Sequence, residues 1–355
     1  ESHLPSLCHP DPRDRPPVTR ILAVTCMRNE GPYCLEWIAH HRAAGVTDFL
    51  IFTHDCTDGT PALLDLLDDV THVPFTPEGD TSVQWQAMRL ADRHDLMKQA
   101  DWALFFDADE FLTLAAPMRR LPDLIASVPA DTDAIALPWR FFGADGQEAL
   151  QDTLTPLRFR HAAPDPFFLP AGSFFKTLHR PAAFQKLGVH RPKKKRGVSP
   201  LWNLGGVQAA PGGFAENDNR INLFGVMQSQ ARARLNHYSL RSAGEFMVKR
   251  GRGLPNRTTK RLDLHYWAER NFNTVTDTMI DPMLDATMAE VTRLRALPGV
   301  ADAHAQAVQW HHDSFAALMT DPAEVQFYWH LLLLGSSTPP TAEQAQAHLL
   351  RHAGS

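Results

Sequence analysis

The sequence predicts an α/β domain, a mostly parallel sheet flanked by helices, with a helical extension at its C-terminal side. Three observations carry this expectation. Apolar runs of strand length alternate with amphipathic stretches four times between residues 20 and 106. A polar cluster follows the first, second and fourth of those runs, and beyond Arg241 the periodicity is mainly helical.

The elements follow in order. Glu1–Val18 carries five prolines and no periodicity, so residues 1–19 read as an irregular leader. Arg20–Met27 (RILAVTCM) suits a buried strand. Pro32 belongs in the first turn of a helix whose apolar face is Leu35, Ile38 and Ala39, ending near Gly45. Asp48–Thr53 is a second buried strand, and Thr60-Pro61 opens a helix carrying Leu63, Leu64, Leu66 and Leu67. Val70–Phe75 is a third strand, Val83–Gln99 one long amphipathic helix, and Trp102–Phe106 a fourth strand that stops at Asp107. Ala134–Phe142 and Gly172–His179 read as further strands, while Leu187–Gly213 is loop-like. Helices are expected over Ser242–Arg250, Pro282–Ala296, Ala301–Met319, Glu324–Leu334 and Thr341–Arg351. The division that results is a leader (1–19), a catalytic domain (20–240) and a helical region (241–355).

Composition narrows the function classes. With 44% hydrophobic and 21% charged residues and a formal net charge of −5, the chain is an ordinary globular enzyme in composition and has no nucleic acid as its main partner. Cys8, Cys26, Cys34 and Cys56 form no C-x-x-C pair, so they read as reduced thiols, which suits a cytoplasm. No apolar stretch approaches the ~18 residues of a spanning helix. The expected location is therefore cytoplasmic or peripheral to the inner face of the membrane; the chain does not open on Met, which leaves an upstream segment open. The run Arg191–Arg196 has no interleaved aromatics and reads as a loop closing over an anionic donor or acceptor, or as a solvated loop.

Open parallel sheets bind ligands beyond the carboxyl ends of their strands. The residues in those places are Arg28, Asn29 and Glu30, then His54, Asp55 and Asp58, then Asp107, Asp109 and Glu110. Asp107 and Asp109, one residue apart after an apolar strand, bring four carboxylate oxygens towards one point. A hard divalent cation wants such ligands and shares them with phosphates. The bland alternative is that the pair ends the strand and caps a turn; position after the fourth alternating strand favours the metal.

The stretch VTCMRNEGPYCLEWIAHHRAAGVTDFLIFTHDCTDGTPALLDLL, with DWALFFDADEF, resembles the family two-like glycosyltransferases of the GT-A fold. It looks most like a bacterial branch with R-N-E before a helix carrying E-W and H-H; looser likeness continues at HRPKKK and at NHYSLRSAGEFMVKRGRG. The resemblance implies a sugar transferred, with inversion, from a nucleoside-diphosphate donor of UDP or GDP type, using Mn2+ or Mg2+. The acceptor it leaves open is a saccharide, a lipid-linked group or a protein. It places Asn29, Glu30 and Asp55 on the nucleoside, although Cys56-Thr57 departs from the family's D-x-S-x-D-G-T. Asp107 and Asp109 take the metal and diphosphate, His237 completes the metal site, and Lys249, Arg250 and Arg252 meet the diphosphate. Asp58 reads equally as a turn and helix cap, His237 as a structural histidine, and the three basic residues as a solvated helix end. For the general base, His190 stands where the family carries a carboxylate, with Asp145, Glu216 and Asp218 as rivals. Trp85 and the aromatics of 139–142 are core by default or line the acceptor cleft, and the helical tail is a candidate homo-oligomer contact. Two rivals remain: a non-catalytic sugar-binding protein of the same fold, and an aspartyl phosphohydrolase, whose D-x-D normally follows its first strand.

Overall fold

Strand β1 (Ile21–Met27) is buried along nearly its whole length, as its unbroken apolar run requires of a strand covered on both faces. The computed structural model describes residues 19–227, 229–252 and 262–353, so leader residues 1–18, with Cys8, lie outside the described residues. Helix α1 (Gly31–Ala43) follows with Pro32 in its first turn, then β2 (Asp48–Thr53), α2 (Thr60–Leu64) and β3 (Val70–Pro74). The single helix expected over Val83–Gln99 is two, α3 (Val83–Arg93) and α4 (Asp95–Gln99). His94 between them is extended, and its ring nitrogen accepts from the Leu96 amide to cap the second helix.

Strand β4 (Trp102–Phe105) ends at the acidic turn, from which β5 (Glu110–Leu114) departs. Then come α5 (Leu121–Ser127), β6 (Ala134–Phe141), α6 (Thr155–Arg158), β7 (His161–Ala162) and β8 (Phe175–His179). The segment Leu187–Gly213 is not all loop. After β9 (Phe184–Lys186) it holds β10 (Lys193–Lys194), β11 (Trp202–Leu204) and β12 (Gln208–Ala209), and α7 (Gly212–Glu216) begins at its end. Its basic run fastens a hairpin. Arg191 is buried, stacked 4.1 Å over Trp202 and 4.6 Å over Phe214, and Lys193, Lys194 and Lys195 donate to the carbonyls of Asp218, Glu216 and Ala182.

Strand β13 (Ala233–His237) leads into α8 (Ala243–Arg252), α9 (Leu264–Ala268), β14 (Val275–Thr276), α10 (Asp281–Arg295), α11 (Val300–Leu318), α12 (Pro322–Leu334) and α13 (Ala342–Ala353). Helices α10 and α11 pack on α1, so the helical region covers one face of the sheet. No helix among the described residues is long and apolar enough to cross a membrane.

The sheet runs β12-β11-β6-β8-β4-β1-β2-β3. Strands β4, β1, β2 and β3 are mutually parallel, and β8 lies antiparallel between β4 and β6. The chain walks outward through β2 and β3, then returns to the far side of β1 as β4. The strand order therefore reverses between β1 and β4, the place where open α/β sheets bind their ligands. Strand β13 pairs with β5 antiparallel and β6 parallel, which sets His237 opposite Glu110.

Glu36 ties α1 to the start of α6. Its oxygens accept from the Thr155 amide at 2.6 Å and the Thr155 hydroxyl at 2.8 Å. Burial pushes its carboxyl up to about 7 despite those bonds. The native state thus holds this proton more tightly than the unfolded chain. That stabilisation is full below about pH 4.5 and is lost as the pH rises through 7. Between pH 5 and 8 the wild type is expected to lose about 1–3 kcal/mol from this group. In urea unfolding at the two pH values, Glu36→Gln should show a correspondingly flatter dependence. An unchanged slope would mean that another group carries it.

Candidate functional site

The acidic turn is held in place before its carboxylates are considered. The Trp37 indole of α1 donates to the carbonyls of Asp107 at 3.1 Å and Glu110 at 3.2 Å, and the Asp107 amide donates to Glu110 Oε2 at 3.0 Å. The Tyr238 amide donates to the Asp109 carbonyl at 2.9 Å, which brings the end of β13 against the turn. The turn is clamped on both sides.

Two cations answer the two aspartates. Lys176 of β8 lies 3.0 Å from Asp107 Oδ2 and 3.7 Å from Glu110 Oε1, while the Gln84 amide of α3 donates to Asp107 Oδ1 at 2.8 Å. Lys249 of α8 lies 2.7 Å from Asp109 Oδ2, and His237 Nε2 lies 3.5 Å from Asp109 Oδ1. Burial by itself would raise Asp109, but Lys249 and then His237 outweigh it and hold its carboxyl well below the usual range. Glu110 behaves oppositely. It is fully buried and further from Lys176 than Asp107 is, so burial pushes it well above the carboxylate range. Lys176 stays a cation because its neighbours, Asp107 foremost, outweigh its own burial. His237 is lowered by burial, and its Nδ1 is enclosed with no partner among the described residues. The core of the site is thus two aspartates balanced by two lysines, beside a neutral imidazole.

Backbone strain gathers on the same edge. Among the described residues, four that are not glycine adopt left-handed φ: Asn29 (52°), Asp55 (46°), Asp145 (51°) and Arg241 (56°). Each lies within four residues beyond β1, β2, β6 or β13, and those four strands all point the same way. Such conformations cost about 1–3 kcal/mol each and concentrate at functional edges.

The residues expected to bind the nucleoside divide. Asn29 closes the first loop on the second, its side-chain oxygen accepting from the Thr57 amide at 2.8 Å. Asp55 has a side chain 56% exposed, with a hydrogen bond to neighbouring His54 at 3.0 Å. It is open to a ligand. Glu30, in contrast, is buried and paired with Arg241 at 3.2 Å and with Arg252. Arg252 also donates to the Asn29 carbonyl at 2.9 Å. These two expected donor contacts are spent on each other, because α8 packs its C-terminal end onto the loop after β1. Arg250 pairs with Glu324 of α12.

The base candidates divide as well. His190 lies beside the cluster, its ring 5.1 Å from Phe174 and 5.2 Å from Trp139, with Nδ1 2.9 Å from the Phe175 carbonyl. Burial lowers it to about 4. Asp145 is no free base in this fold: it accepts from the Arg160 and His161 amides and from the His161 ring, and so shapes its own loop. Asp218 lies with the β9–β10 hairpin near Arg191 and Lys194, and Glu216 offers its carbonyl to Lys194 there. None of Asp145, Glu216 and Asp218 contacts Asp107, Asp109 or His237 among the described residues. Lys176, Gln84, Trp37 and Arg241 were missed from sequence. Only Lys176 leaves a local signal, a lysine within the apolar run SFFKTL, which demands a buried counter-charge.

A family model described as glycosyltransferase family 92 matches residues 24–201, half of the chain. The match agrees with the expected resemblance at the level of a glycosyltransferase, though not with its family two-like branch. No curated protein matches. Similar solved structures include Rv0371c from Mycobacterium tuberculosis H37Rv (16% identity, TM-score 0.22), over 34% of this chain and 66% of that one. HddC from Yersinia pseudotuberculosis has 8% identity and a TM-score of 0.28 over 46% of this chain and 78% of its own. The 4-diphosphocytidyl-2C-methyl-D-erythritolsynthase from Anaerococcus prevotii DSM 20548 has 10% identity and a TM-score of 0.25 over 46% and 72%. Likeness at this level leaves the assignment to the family match.

Proposed function

The chain belongs to glycosyltransferase family 92, and from that premise we propose that it moves a sugar from a nucleoside-diphosphate donor to an acceptor hydroxyl with a divalent metal at Asp107 and Asp109. The observation that carries this reading is the position of those carboxylates at the strand-order reversal between β1 and β4, with His237 delivered beside them by β13.

The donor atoms suit Mn2+ or Mg2+. Two carboxylates and one neutral imidazole nitrogen are hard or borderline ligands. Among the described residues no three His, Cys, Asp or Glu side chains are placed to hold an ion by themselves. A partial set is what an ion shared with phosphates uses, since magnesium keeps waters and substrate oxygens beside one or two carboxylates. When bound, the ion neutralises the leaving diphosphate. Charge balance supports this: Asp107 and Asp109 are already matched by Lys176 and Lys249, so an anionic diphosphate needs added positive charge. Asp55 faces the nucleoside and Asn29 shapes the loop beneath it. His190 is the base candidate nearest the cluster, with inversion as the outcome.

Thermal shift tests the donor site. Nucleoside diphosphates and their sugars with manganese are expected to raise the melting temperature by several degrees at concentrations near a hundred times Kd, about 2.7 kcal/mol of linkage. Asp107→Ala with Asp109→Ala should abolish the shift. If no nucleotide moves the wild type, or the double variant responds equally, the donor site is wrong.

A further inference from the structure

The donor reading leaves a cavity of about 770 Å3 unused beside the acidic turn. Trp139 is the wall the two share: it lines the cavity, and its ring centre lies 4.4 Å from that of His237 and 6.0 Å from the Lys176 ammonium. Half-buried Phe168 and Phe224 contribute further aromatic faces. The same lining holds a polar cluster in which Arg140 and Arg234 share one carboxylate, Asp277; Arg140 reaches it through Nε at 3.3 Å. The terminal nitrogens of Arg140 make no hydrogen bond among the described residues, with Asp165 as a further acidic neighbour. Two guanidiniums on one carboxylate leave donors over.

That lining favours one ligand chemistry. A sugar ring offers an apolar C–H face to an aromatic side chain and a rim of hydroxyls that both donate and accept. A carboxylate flanked by two guanidiniums meets hydroxyls of either role. A lipid chain would displace water from the Arg140–Asp277–Arg234 cluster and offer its spare donors nothing in return, which is costly. The volume also lies within the range of small-molecule sites, with room for a short oligosaccharide. Resting on the glycosyltransferase reading, we propose that this cavity is the acceptor site and that the acceptor is a saccharide. Trp139 then sits where acceptor and donor sugars meet. Phe168, Phe224 and the Arg140–Asp277–Arg234 cluster hold the acceptor ring so that one hydroxyl faces the metal side.

The test is an array of neutral, amino and uronate di- and trisaccharides, probed with wild type and two variants. Ser229→Trp fills the cavity from an exposed position on its lining, and Phe224→Ala removes one aromatic face. At least one saccharide class should bind the wild type, weaken about tenfold in Phe224→Ala, the worth of one stacking contact, and weaken at least as much in Ser229→Trp, which occupies the space. The manganese-nucleotide thermal shift should be unchanged in both. Binding that survives Ser229→Trp at full strength overturns the proposal, as does absence of saccharide binding to the wild type, or sugar transfer to a peptide or lipid alcohol alone. Because the array needs no nucleotide, failure of the donor reading would leave saccharide binding sensitive to Ser229→Trp, so the two failures are distinguishable.

Discussion

Asp109→Asn is expected to lower kcat/KM by about a hundred- to a thousandfold, roughly 3–4 kcal/mol of transition-state stabilisation. Asp109 is the aspartate with the tighter surroundings: its side chain is 10% exposed, against 30% for Asp107, and it faces both Lys249 and His237. Asparagine keeps the shape and one oxygen but removes the charge. In the proposed site it therefore weakens the hold on the divalent ion, and it leaves the Lys249 ammonium without its carboxylate. The loss should appear in kcat as well as KM, because the charge on the leaving diphosphate grows towards the transition state. Urea unfolding of the variant separates loss of chemistry from loss of fold. A folded variant that keeps more than a tenth of wild-type activity would place the metal elsewhere.

Arg158→Met is expected to cost about 3–5 kcal/mol of stability, the usual penalty for leaving one member of a buried ion pair alone. Arg158 and Glu245 are 3% and 1% exposed and meet through two parallel bonds of 3.1 and 2.7 Å. Burial would raise Glu245, yet Arg158 holds it below its ordinary range. Without the guanidinium, a carboxylate would stay enclosed with Ser242, the Tyr33 hydroxyl and the more distant Arg241 as its remaining help. Pairing Arg158→Met with Glu245→Gln should recover most of the loss in a double-mutant cycle. If the two variants add independently, the pair contributes little. The consequence reaches the site, since Glu245 lies on α8, the helix that presents Lys249 to Asp109.

Legibility differed element by element. The first four strands were readable because β1, β2 and β4 are covered on both faces and must be continuously apolar. Strands β5 and β13 were not. Glu110–Leu114 opens on a buried carboxylate, and Ala233–His237 has one large apolar residue, so neither carries a strand pattern without its partner. The break at His94 was hidden because apolar spacing continues across it while the cap is a single side-chain bond. Arg191 misled in another way: a basic run looks solvated until two aromatic rings from β11 and α7 enclose its first guanidinium.

For the site, what could be read from residues alone was the acidic pair and the loops that face it, because strand polarity places whatever follows parallel strands on one edge. Which charges meet which carboxylates was decided only by folding. Glu30 and Asp109 look alike in sequence and are equally buried, yet one is paired with Arg241 and Arg252 and the other with Lys249 and His237. Lys176, Lys249 and His237 reach the acidic turn from β8, α8 and β13, segments 67 to 142 residues away in the chain from Asp107 or Asp109. Periodicity reports which way a side chain faces within its own element; it carries no information on which distant charge will meet it. Charge matching in a buried site is a property of three-dimensional neighbours, and there the tertiary structure alone decides.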